Sequence, residues 1–420
     1  MKNVIMFRGG VETLEFFSVE ISSYLTEQGY NVIWYNLLLE EISFHSLMDY
    51  YEKNKEDEFI TFTFNFEGIA GEKGLYQGYD NVIPENTKWN FWDYANVKVY
   101  NMVVDHPLYY HKYIDIRPKN YYQIDIDRQH VDYMKRFFPE VENVMFVPLG
   151  GTELNLEGRI SVDSPYMAIK ERPIDVIFTG NFTPKRILRK HLNNMEQEYI
   201  DFYENALKRL IHNPDKTIDE LATECLKEQF PHITDLQLRE CMPNMMYVDL
   251  AVRFHYRELA VKALADSGIK IYTYGAGFNM MNLKHPENII ENGGVNSGKC
   301  LDMISQSKIS LNVMPWFKRG IHDRVLNSCL NGAVSLTDSS EMIEELFKDD
   351  DSIILYDLKM LRDYEKSGYD EKVVSQMTDR VKNLLESPDK MQSIADNAYN
   401  LCHNKHSWRE RAEQIFKEFD

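Results

Sequence analysis

Cysteine is scarce in this chain, which has five in 420 residues. The five are scattered, odd in number and without the spacing of a metal motif, so the sequence predicts reduced thiols and excludes a disulfide-rich secreted fold. Long apolar runs are also missing, and none reaches the roughly 20 residues that a transmembrane helix needs. The N-terminal stretch MKNVIMFRGG becomes polar too early for a signal peptide. These absences predict a cytoplasmic protein without a transmembrane segment.

Positive charge is in short supply as well. Lys and Arg total 47 against 66 Asp and Glu, which gives a net charge of -19 and a sequence pI near 5.1. This balance excludes a broad surface for nucleic acid or anionic membranes, but it leaves room for one small basic pocket. Neither a P-loop nor a complete dinucleotide fingerprint is present, so no cofactor is predicted.

Apolar and aromatic residues are plentiful, at 44% and 13% of the chain, and its length suits two packed domains. Short apolar runs alternate with helical patterns over residues 3–151 and again from residue 174. Such alternation predicts an α/β protein with two doubly wound, Rossmann-like domains facing across a cleft. The predicted N-terminal domain spans residues 1–170, the C-terminal domain residues 171–405, and a C-terminal helix residues 406–420. A helical stretch over about 186–267 is predicted to be an insertion in the second domain.

Ligands of open parallel sheets bind beyond the carboxyl ends of the strands, so the loops there are the candidate sites. In the first domain, Gly9 and Gly10 follow the first strand and open a helix, which fits either an anion-binding loop or a tight turn. Asp105 and His106 follow a later strand. Either could accept a proton from an attacking hydroxyl, or Asp105 could cap the next segment while His106 is structural.

The second domain has two such loops of its own. Lys185 and Arg186 lie at a predicted helix start, where positive charge opposes the macrodipole unless an anion is bound; the alternative is that both are solvated. Tyr274 and Gly275 follow the next strand, where glycine permits close approach. Tyr274 or Phe278 could stack on a nucleobase or could pack in the core.

The strongest signal is a basic helix entrance in the second domain. Lys318, Arg319, His322 and Arg324 cluster there, with Asp323 as the single acid of that turn. Helix-end amides together with Arg324 would hold a pyrophosphate, as in a nucleoside diphosphate. The alternative is an arginine tied to acids of the other domain.

Metal sites are weakly indicated. Asp125 and Asp127 have the D-x-D spacing that metal-dependent sugar transferases use, but such spacing also arises by chance in an acid-rich chain. His106 and His111 lack a third ligand with suitable spacing. No metal is therefore predicted.

The stretch HDRVLNSCLNG, residues 322–332, and the acidic helical segment after it resemble the C-terminal domain of the CgeB/YkvP-like, spore-protein-type glycosyltransferases, which carry N-x-R-x-x-E-x-x-x-x-G. His406 and Arg411 fit the H-x-x-x-x-R spacing of the tail of that domain. The resemblance covers roughly residues 174–420 apart from the helical stretch, and more loosely the first domain.

The resemblance implies the GT-B arrangement, with the donor on the C-terminal lobe and the acceptor on the N-terminal one. Arg324 matches the motif arginine and is implied to contact the diphosphate. His322 replaces the motif asparagine, and Asn327 replaces the glutamate that would hold the donor ribose, which implies a weaker contact. Lys185 and Arg186 resemble basic residues that some GT-B enzymes direct at phosphate.

The expected function is that of a bacterial, metal-independent hexosyl- or N-acetylhexosaminyltransferase. It would move a sugar from a nucleotide sugar, expected to be UDP-linked, to a hydroxyl of a protein, glycan or cell-envelope acceptor. Two alternatives remain: a weak or inactive GT-B-fold binding or scaffold protein, suggested by Asn327, and a metal-dependent transferase using Asp125 and Asp127. The helical stretch could form an acceptor platform or a homodimer contact, and no nucleic-acid partner is expected.

Overall fold

The computed structural model describes residues 2–78, 87–154 and 165–417. The chain divides into two compact units, Met1–Gly150 with Trp408–Asp420, and Gly151–Ser407. We call them the first unit and the second unit. No helix among the described residues is both long and apolar enough to cross a membrane.

The first unit is built on a six-stranded, all-parallel sheet in the order β2-β1-β3-β6-β7-β8. Its strands, including the small antiparallel pair β4 and β5, are β1 (Lys2–Arg8), β2 (Asn31–Asn36), β3 (Glu58–Phe64), β4 (Tyr76–Gln77), β5 (Trp89–Asn90), β6 (Lys98–Val103), β7 (Tyr121–Asp125) and β8 (Val144–Phe146). Its helices up to β8 are α1 (Glu12–Glu27), α2 (Glu40–Lys53), α3 (Phe91–Tyr94), α4 (His111–Asp115) and α5 (Arg128–Phe137). Val4, Ile5 and Met6 of β1 are fully buried in succession, as expected of a parallel strand covered on both faces.

The second unit carries another six-stranded parallel sheet, in the order β11-β10-β9-β12-β13-β14. The strands are β9 (Ile174–Thr179), β10 (Ile271–Tyr274), β11 (Ile289–Glu291), β12 (Ser307–Leu311), β13 (Val334–Thr337) and β14 (Ile354–Leu355). The helices are α6 (Lys185–Leu188), α7 (Gln197–His212), α8 (Ile218–Gln229), α9 (Asp235–Cys241), α10 (Met246–Asp266), α11 (Ser297–Ser305), α12 (Asp323–Leu330), α13 (Glu341–Leu346), α14 (Leu358–Lys366), α15 (Glu371–Leu385) and α16 (Pro388–Cys402). The two doubly wound sheets confirm the predicted fold class.

The predicted insertion over about 186–267 corresponds to helices α6 to α10. The last of them, α10, belongs to the core of the second unit, because Tyr256, Ala260 and Leu264 pack in one buried cluster with Val176 of β9 and Ile271 of β10. It is therefore the helix that covers the sheet between β9 and β10, and only the segments before it are additional to a doubly wound domain.

The boundaries of the units differ from the predicted domain limits of 170 and 405. Gly151 pairs with Ser407 and its N–H donates to His406 O, so the second unit begins directly after Gly150. The final helix, α17 (Trp408–Phe416), packs within the first unit, where the Trp408 ring lies 4.4 Å from that of Phe17. Burial of this aromatic pair is the physical reason that the end of the chain belongs with its beginning.

In each sheet the chain reverses its direction of winding at one point, and ligands of such folds bind beyond the carboxyl ends of the two strands there. We call these places the switch points. The first unit has its switch point between β1 and β3, and the second unit between β9 and β12.

Candidate functional site

At the switch point of the second unit, the loops after β9 and β10 touch backbone to backbone. Gly180 N–H donates to Tyr274 O, and a Cβ added to Gly275 would lie 2.0 Å from Gly180 O. Gly275 was predicted as a donor-binding residue, but the structure explains the glycine by this crossing of two loops. Tyr274 is buried against Ile177 and Ile304, so its ring packs in the core.

Arg324, predicted at a helix entrance, lies in the first turn of α12 at this switch point. Its Nη1 donates to Asn312 Oδ1 at 2.8 Å, directly after β12, and its guanidinium lies 5.6 Å from the Phe178 ring centroid. The side chain is 9% exposed. Burial lowers the pKa of Arg324, although the neighbouring Asp323 opposes that shift. The arginine is thus held rigidly by β9 and β12 with little contact with solvent.

His322 is neutral and orients Arg324. Its Nε2 lies 2.7 Å from Arg324 Nη2, and its Nδ1 lies 2.5 Å from Asp323 Oδ1. Because a guanidinium only donates, Nε2 must accept, while Nδ1 lies close both to Asp323 Oδ1 and, at 3.2 Å, to Arg324 N–H. Burial and then the charge of Arg324 lower the pKa of His322 to about 4. His322 therefore supports the arginine and adds no charge to the site at neutral pH.

Two further arginines, Arg257 and Arg253, reach the same place from α10. Arg257 is 8% exposed, donates through Nη1 to Asn181 O, and lies 5.3 Å from the Phe178 ring centroid. Its Nε has no hydrogen-bond partner among the described residues. Burial, followed by the charges of Arg324 and Arg253, holds the pKa of Arg257 well below its usual range. Arg257 is therefore a buried cation whose surroundings disfavour its charge.

Arg253 completes what we call the arginine cluster, Arg253, Arg257 and Arg324. One of its amino groups pairs with Asp249 at 2.7 Å, and its guanidinium lies 4.4 Å from the Trp316 ring centroid in the loop after β12. Buried like charges repel one another, and a bound dianion relieves that repulsion while accepting several charge-assisted hydrogen bonds. With the N-terminus of α12 beside it, the cluster is suited to bind a diphosphate.

Lys318 and Arg319, predicted as part of the same basic entrance, are directed elsewhere. Lys318 Nζ donates to the backbone oxygens of Pro214 and Pro315. Arg319 Nε pairs with Glu341 Oε2 at 2.6 Å. The alternative of an arginine tied to an acid therefore holds for Arg319, with the acid in its own unit, and only Arg324 of the basic side chains in that stretch joins the cluster.

Asn327, the expected ribose contact, is used within the second unit. Its Oδ1 accepts from Thr152 N–H at 2.8 Å, and its Nδ2 donates to Asp323 Oδ2 at 3.1 Å. The first bond holds the start of the second unit against α12, and the second lies within α12. The Asn327 amide therefore has a structural role in this conformation. A glutamate at this position could not donate to Asp323, because its side chain lacks an N–H.

Lys185 and Arg186 lie at the start of α6, as predicted, yet a carboxylate already neutralises one of them. Lys185 Nζ lies 2.5 Å from Glu204 Oε2, and Arg189 Nε lies 3.4 Å from the other oxygen of that carboxylate. Arg186 is exposed. Glu204 resolves the unfavourable charge at this helix start, so no bound anion is required.

The loop after β1 does not offer its amides to an anion. Gly9 N–H donates to Glu15 Oε2 and Val11 N–H donates to Glu67 Oε1, each at 2.8 Å. A Cβ at Gly10 would lie 2.2 Å from Glu67 Oε1. Two carboxylates thus occupy the place that the sequence assigned to a ligand at Gly9 and Gly10.

Asp105 and His106 follow β6 and have different environments. Asp105 is half-buried and its Oδ2 accepts from Asn65 Nδ2 at 3.1 Å and from Tyr110 OH at 3.3 Å. His106 is buried, and its Nδ1 accepts from Leu108 N–H, so it caps the short turn that follows. The structural interpretation of His106 is supported, while the Asp105 carboxylate is half-buried and hydrogen-bonded to Asn65 and Tyr110.

The D-x-D pair has structural roles. Asp127 Oδ1 accepts from Gln129 N–H and caps α5, and Asp125 Oδ1 accepts from Gln123 Nε2. Burial raises the pKa of Asp125 to about 8. Across residues 2–78, 87–154 and 165–417, no group of three or more His, Cys, Asp and Glu side chains could hold a metal ion.

Arg253 and Arg257 were missed because α10 was interpreted as part of an insertion. One signal was available: two arginines four residues apart lie on one face of a helix, and that helix leads from the first to the second strand of the sheet. Their proximity to Arg324 depends on the sheet order, which local sequence patterns do not reveal.

Residues 257–417 match a family model described as "Glycosyl transferase-like", a region that includes Arg257 and Arg324. Solved structures resemble the whole chain at low identity. Sucrose-phosphate synthase from Thermosynechococcus elongatus is 9% identical, with 100% of this chain and 98% of that chain covered and a TM-score of 0.52. A glycosyltransferase from Rickettsia africae is 10% identical, with 99% and 97% covered and a TM-score of 0.53.

An alpha-glucosyltransferase solved with UDP-glucose and DNA containing an abasic site is 12% identical, with 100% and 99% covered and a TM-score of 0.50. No curated protein matches the chain. At such identities the likeness establishes the fold, which is that of GT-B glycosyltransferases, as predicted.

Proposed function

We propose that this protein transfers a sugar from a nucleoside diphosphate sugar to an acceptor hydroxyl, with the diphosphate bound at the arginine cluster. The observation that carries the proposal is the meeting of Arg253, Arg257 and Arg324 at the switch point of the second unit. Buried cations that destabilise one another are characteristic of a site whose ligand supplies the missing negative charge. The glycosyltransferase-like region includes two of the three arginines.

The chemistry follows from the charge that develops during transfer. The acceptor oxygen forms a bond to the anomeric carbon, the bond from that carbon to the diphosphate breaks, and the leaving diphosphate gains negative charge. Arg324 and Arg257, already fixed by Asn312 and the loop after β9, stabilise that charge without reorganising. We infer that these side chains replace an essential divalent ion, and we assign Asp105 as the base that takes the hydroxyl proton.

The donor is proposed to be a UDP-sugar of the hexosyl or N-acetylhexosaminyl class. Support comes from an alpha-glucosyltransferase of similar fold that was solved with UDP-glucose. The acceptor is proposed to be a protein, a glycan or a cell-envelope component, as the resemblance to CgeB/YkvP-like enzymes implies.

Calorimetry with UDP tests the donor site. Wild-type protein is expected to bind UDP, and Arg324→Ala or Arg257→Ala is expected to lower the affinity about 100-fold, because each removes charge-assisted hydrogen bonds to phosphate. Arg319→Ala is the matched control, since that side chain is paired with Glu341. Absence of UDP binding, or an equal loss in the control, would contradict the assignment.

Turnover of UDP-sugars tests the reaction itself. Activity is expected to persist in excess chelator, and activity that disappears and returns with added Mg²⁺ or Mn²⁺ would overturn the metal-independent step.

The position of Asn327 favours one second candidate, a GT-B-fold protein that binds nucleotide sugars without transferring the sugar. Its amide lacks the charge expected of a ribose-binding residue and is already bonded to Thr152 and Asp323. Tight binding of UDP with no hydrolysis or transfer from a panel of UDP-sugars would favour this candidate over the enzyme.

A further inference from the structure

The turn that follows β3, at the switch point of the first unit, has a strained backbone. Asn65 and Phe66 have φ angles of 46° and 67°, so two successive residues lie in the left-handed region. Glu67 N–H donates to Phe64 O at 3.0 Å and closes the turn. Tight turns of this kind favour glycine at the second position, because a bulky side chain with positive φ is strained. The sequence Asn-Phe therefore keeps a strain that Asn-Gly would avoid.

The surroundings of Phe66 hold this backbone in place. The residue is fully buried, and its N–H donates to Asn101 Oδ1 at 3.0 Å. Its ring stacks on those of Tyr110 and Tyr121, with centroids 5.4 Å and 5.9 Å away. Strained conformations persist only where the surrounding contacts fix them, and they are concentrated at functional sites. The core of the first unit therefore fixes the turn, and with it the position of Asn65.

The side chain of Asn65 bridges from this turn to the residues after β6. Its Oδ1 accepts from Val104 N–H at 2.9 Å, and its Nδ2 donates to Asp105 Oδ2 at 3.1 Å. Because a backbone N–H can only donate, the amide oxygen must face Val104, and the amide N–H must face the carboxylate. Asp105 thus receives a hydrogen bond from a side chain whose orientation is fixed.

Tyr110 gives the same carboxylate oxygen a second donor. Its OH lies 3.3 Å from Asp105 Oδ2, and its ring is one of those stacked on Phe66. The strained turn is therefore connected to both donors, to Asn65 through the backbone and to Tyr110 through the stacked rings. Asp105 is half-buried, so the residue keeps some contact with solvent. Two fixed donors hold its carboxylate in one position, as general-base catalysis requires.

We propose that Asn65 is a positioning residue for the reaction: its amide, fixed by the strained turn, holds the carboxylate of Asp105 where it takes the proton of the attacking hydroxyl. The inference rests on the proposed function, which assigns Asp105 as the base, and it adds the side chain on which that base depends. Asn65 acts through Asp105 and takes no proton itself.

The test is steady-state hydrolysis of UDP-glucose and UDP-N-acetylglucosamine, with water as the acceptor, by Asn65→Asp and Asn65→Gly. The aspartate can still accept from Val104 N–H but has no N–H for Asp105, whereas glycine keeps the left-handed backbone and removes the amide. We expect kcat to fall about 10- to 100-fold in both variants, because a small displacement of a reacting group has an effect of that size. KM should change less than about twofold, and the unfolding transition should be preserved.

Asn96→Asp is the matched control. Asn96 also has a positive φ, of 50°, and its Oδ1 accepts from Asn120 Nδ2 at 2.7 Å, but it precedes β6 whereas Asp105 follows that strand. This variant should keep the kcat of the wild type. An equal fall of kcat in Asn96→Asp would overturn the assignment, because the effect would then belong to the substitution in general.

Asp105→Asn separates failure of this inference from failure of the proposed function. Loss of activity in Asp105→Asn together with wild-type kcat in the Asn65 variants would refute the positioning role alone. Wild-type kcat in Asp105→Asn, or no hydrolysis of either donor by the wild-type protein, would contradict the proposed function, and the inference would fail with it. Asn65→Gly decides if the aspartate variant does not fold, since glycine adds no charge beside Asp105, and loss of the unfolding transition in both would make Asn65 a structural residue only.

Discussion

The two switch points have the same place in two similar sheets and opposite electrostatic character. In the first unit, the carboxylates of Glu15 and Glu67 accept from the amides of the loop after β1. In the second unit, the corresponding place is bordered by Arg257 and Arg324, both buried and both over Phe178. The sheet topology creates a crevice at the switch point of each unit, but the side chains that border this crevice determine whether an anion can bind there. Only the second crevice is suited to a diphosphate.

The largest expected effect concerns the glycines of the two crevices. Gly275→Ala places a Cβ 2.0 Å from Gly180 O, a backbone atom that cannot move away alone, so we expect a loss of about 4 kcal/mol or more in the free energy of unfolding. Gly10→Ala meets the end of the Glu67 side chain instead and should cost about 1–2 kcal/mol. Urea unfolding of both variants measures the difference, and equal losses would show that the two loops are not built differently.

A buried acid near the second crevice is expected to make stability depend on pH. Burial raises the pKa of Asp338 from 3.8 to about 6, against the opposing contacts of Met314 N–H, Lys318 and Tyr356. An acid whose pKa is raised on folding binds its proton more tightly in the folded state. Its contribution to stability is therefore complete below about pH 4 and is lost as the pH rises through 6.

A shift of this size corresponds to about 3 kcal/mol. Asp338→Asn should remove the loss, and should be more stable than wild type at pH 7 and equal to it near pH 4. Arg324 and Tyr256 also interact electrostatically with Asp338, so both residues should be unchanged in the two proteins that are compared. Parallel stability curves for the two proteins across this range would contradict the prediction.

Ligand-induced stabilisation compares the crevices directly. UDP at about 100 times its Kd should raise the free energy of unfolding by about 2.7 kcal/mol, with a stoichiometry of one. We expect the gain to vanish in Arg324→Ala and to persist in the double variant Glu15→Gln, Glu67→Gln. A second equivalent of UDP bound by the double variant would mean that only those two carboxylates distinguish the crevices.

The smallest effect is expected from Glu67→Gln alone. The amide oxygen of glutamine can still accept from Val11 N–H, and burial raises the pKa of Glu67. Loss of this unfavourable charge offsets the weaker hydrogen bond, so the unfolding free energy should change by less than about 1 kcal/mol. A change larger than that in thermal or urea unfolding would assign the carboxylate a greater role than holding the loop.

The strands could be predicted because they depend on local pattern. Buried runs such as those of β1 and β9 are visible as apolar stretches between turn residues, whereas β11, with three residues, and β4 and β5, with two each, are too short to show such a pattern. The fold class follows from the alternation of long elements, so the missed strands did not affect it.

The site could be predicted only in part, because its residues meet through tertiary contacts. Arg319 and Arg324 look equivalent in the sequence, yet Glu341 holds the first and Asn312 the second. Arg257 lies far from Arg324 in sequence and reaches it only because β9 and β12 are neighbours. Gly275 was recognised as special, but the reason, a crossing of two loops, involves Gly180 at a distance that no local pattern records.

The placement of α17 has a consequence for how the chain is made. Trp408 is 1% exposed and packs on Phe17 and Phe64 of the first unit, although it follows the whole of the second unit in the chain. Domains fold as units during synthesis, generally from the N-terminal end. Here the second unit can be completed before the first, whose apolar surface around Phe17 and Phe64 stays partly uncovered until residues that follow the second unit have been synthesised.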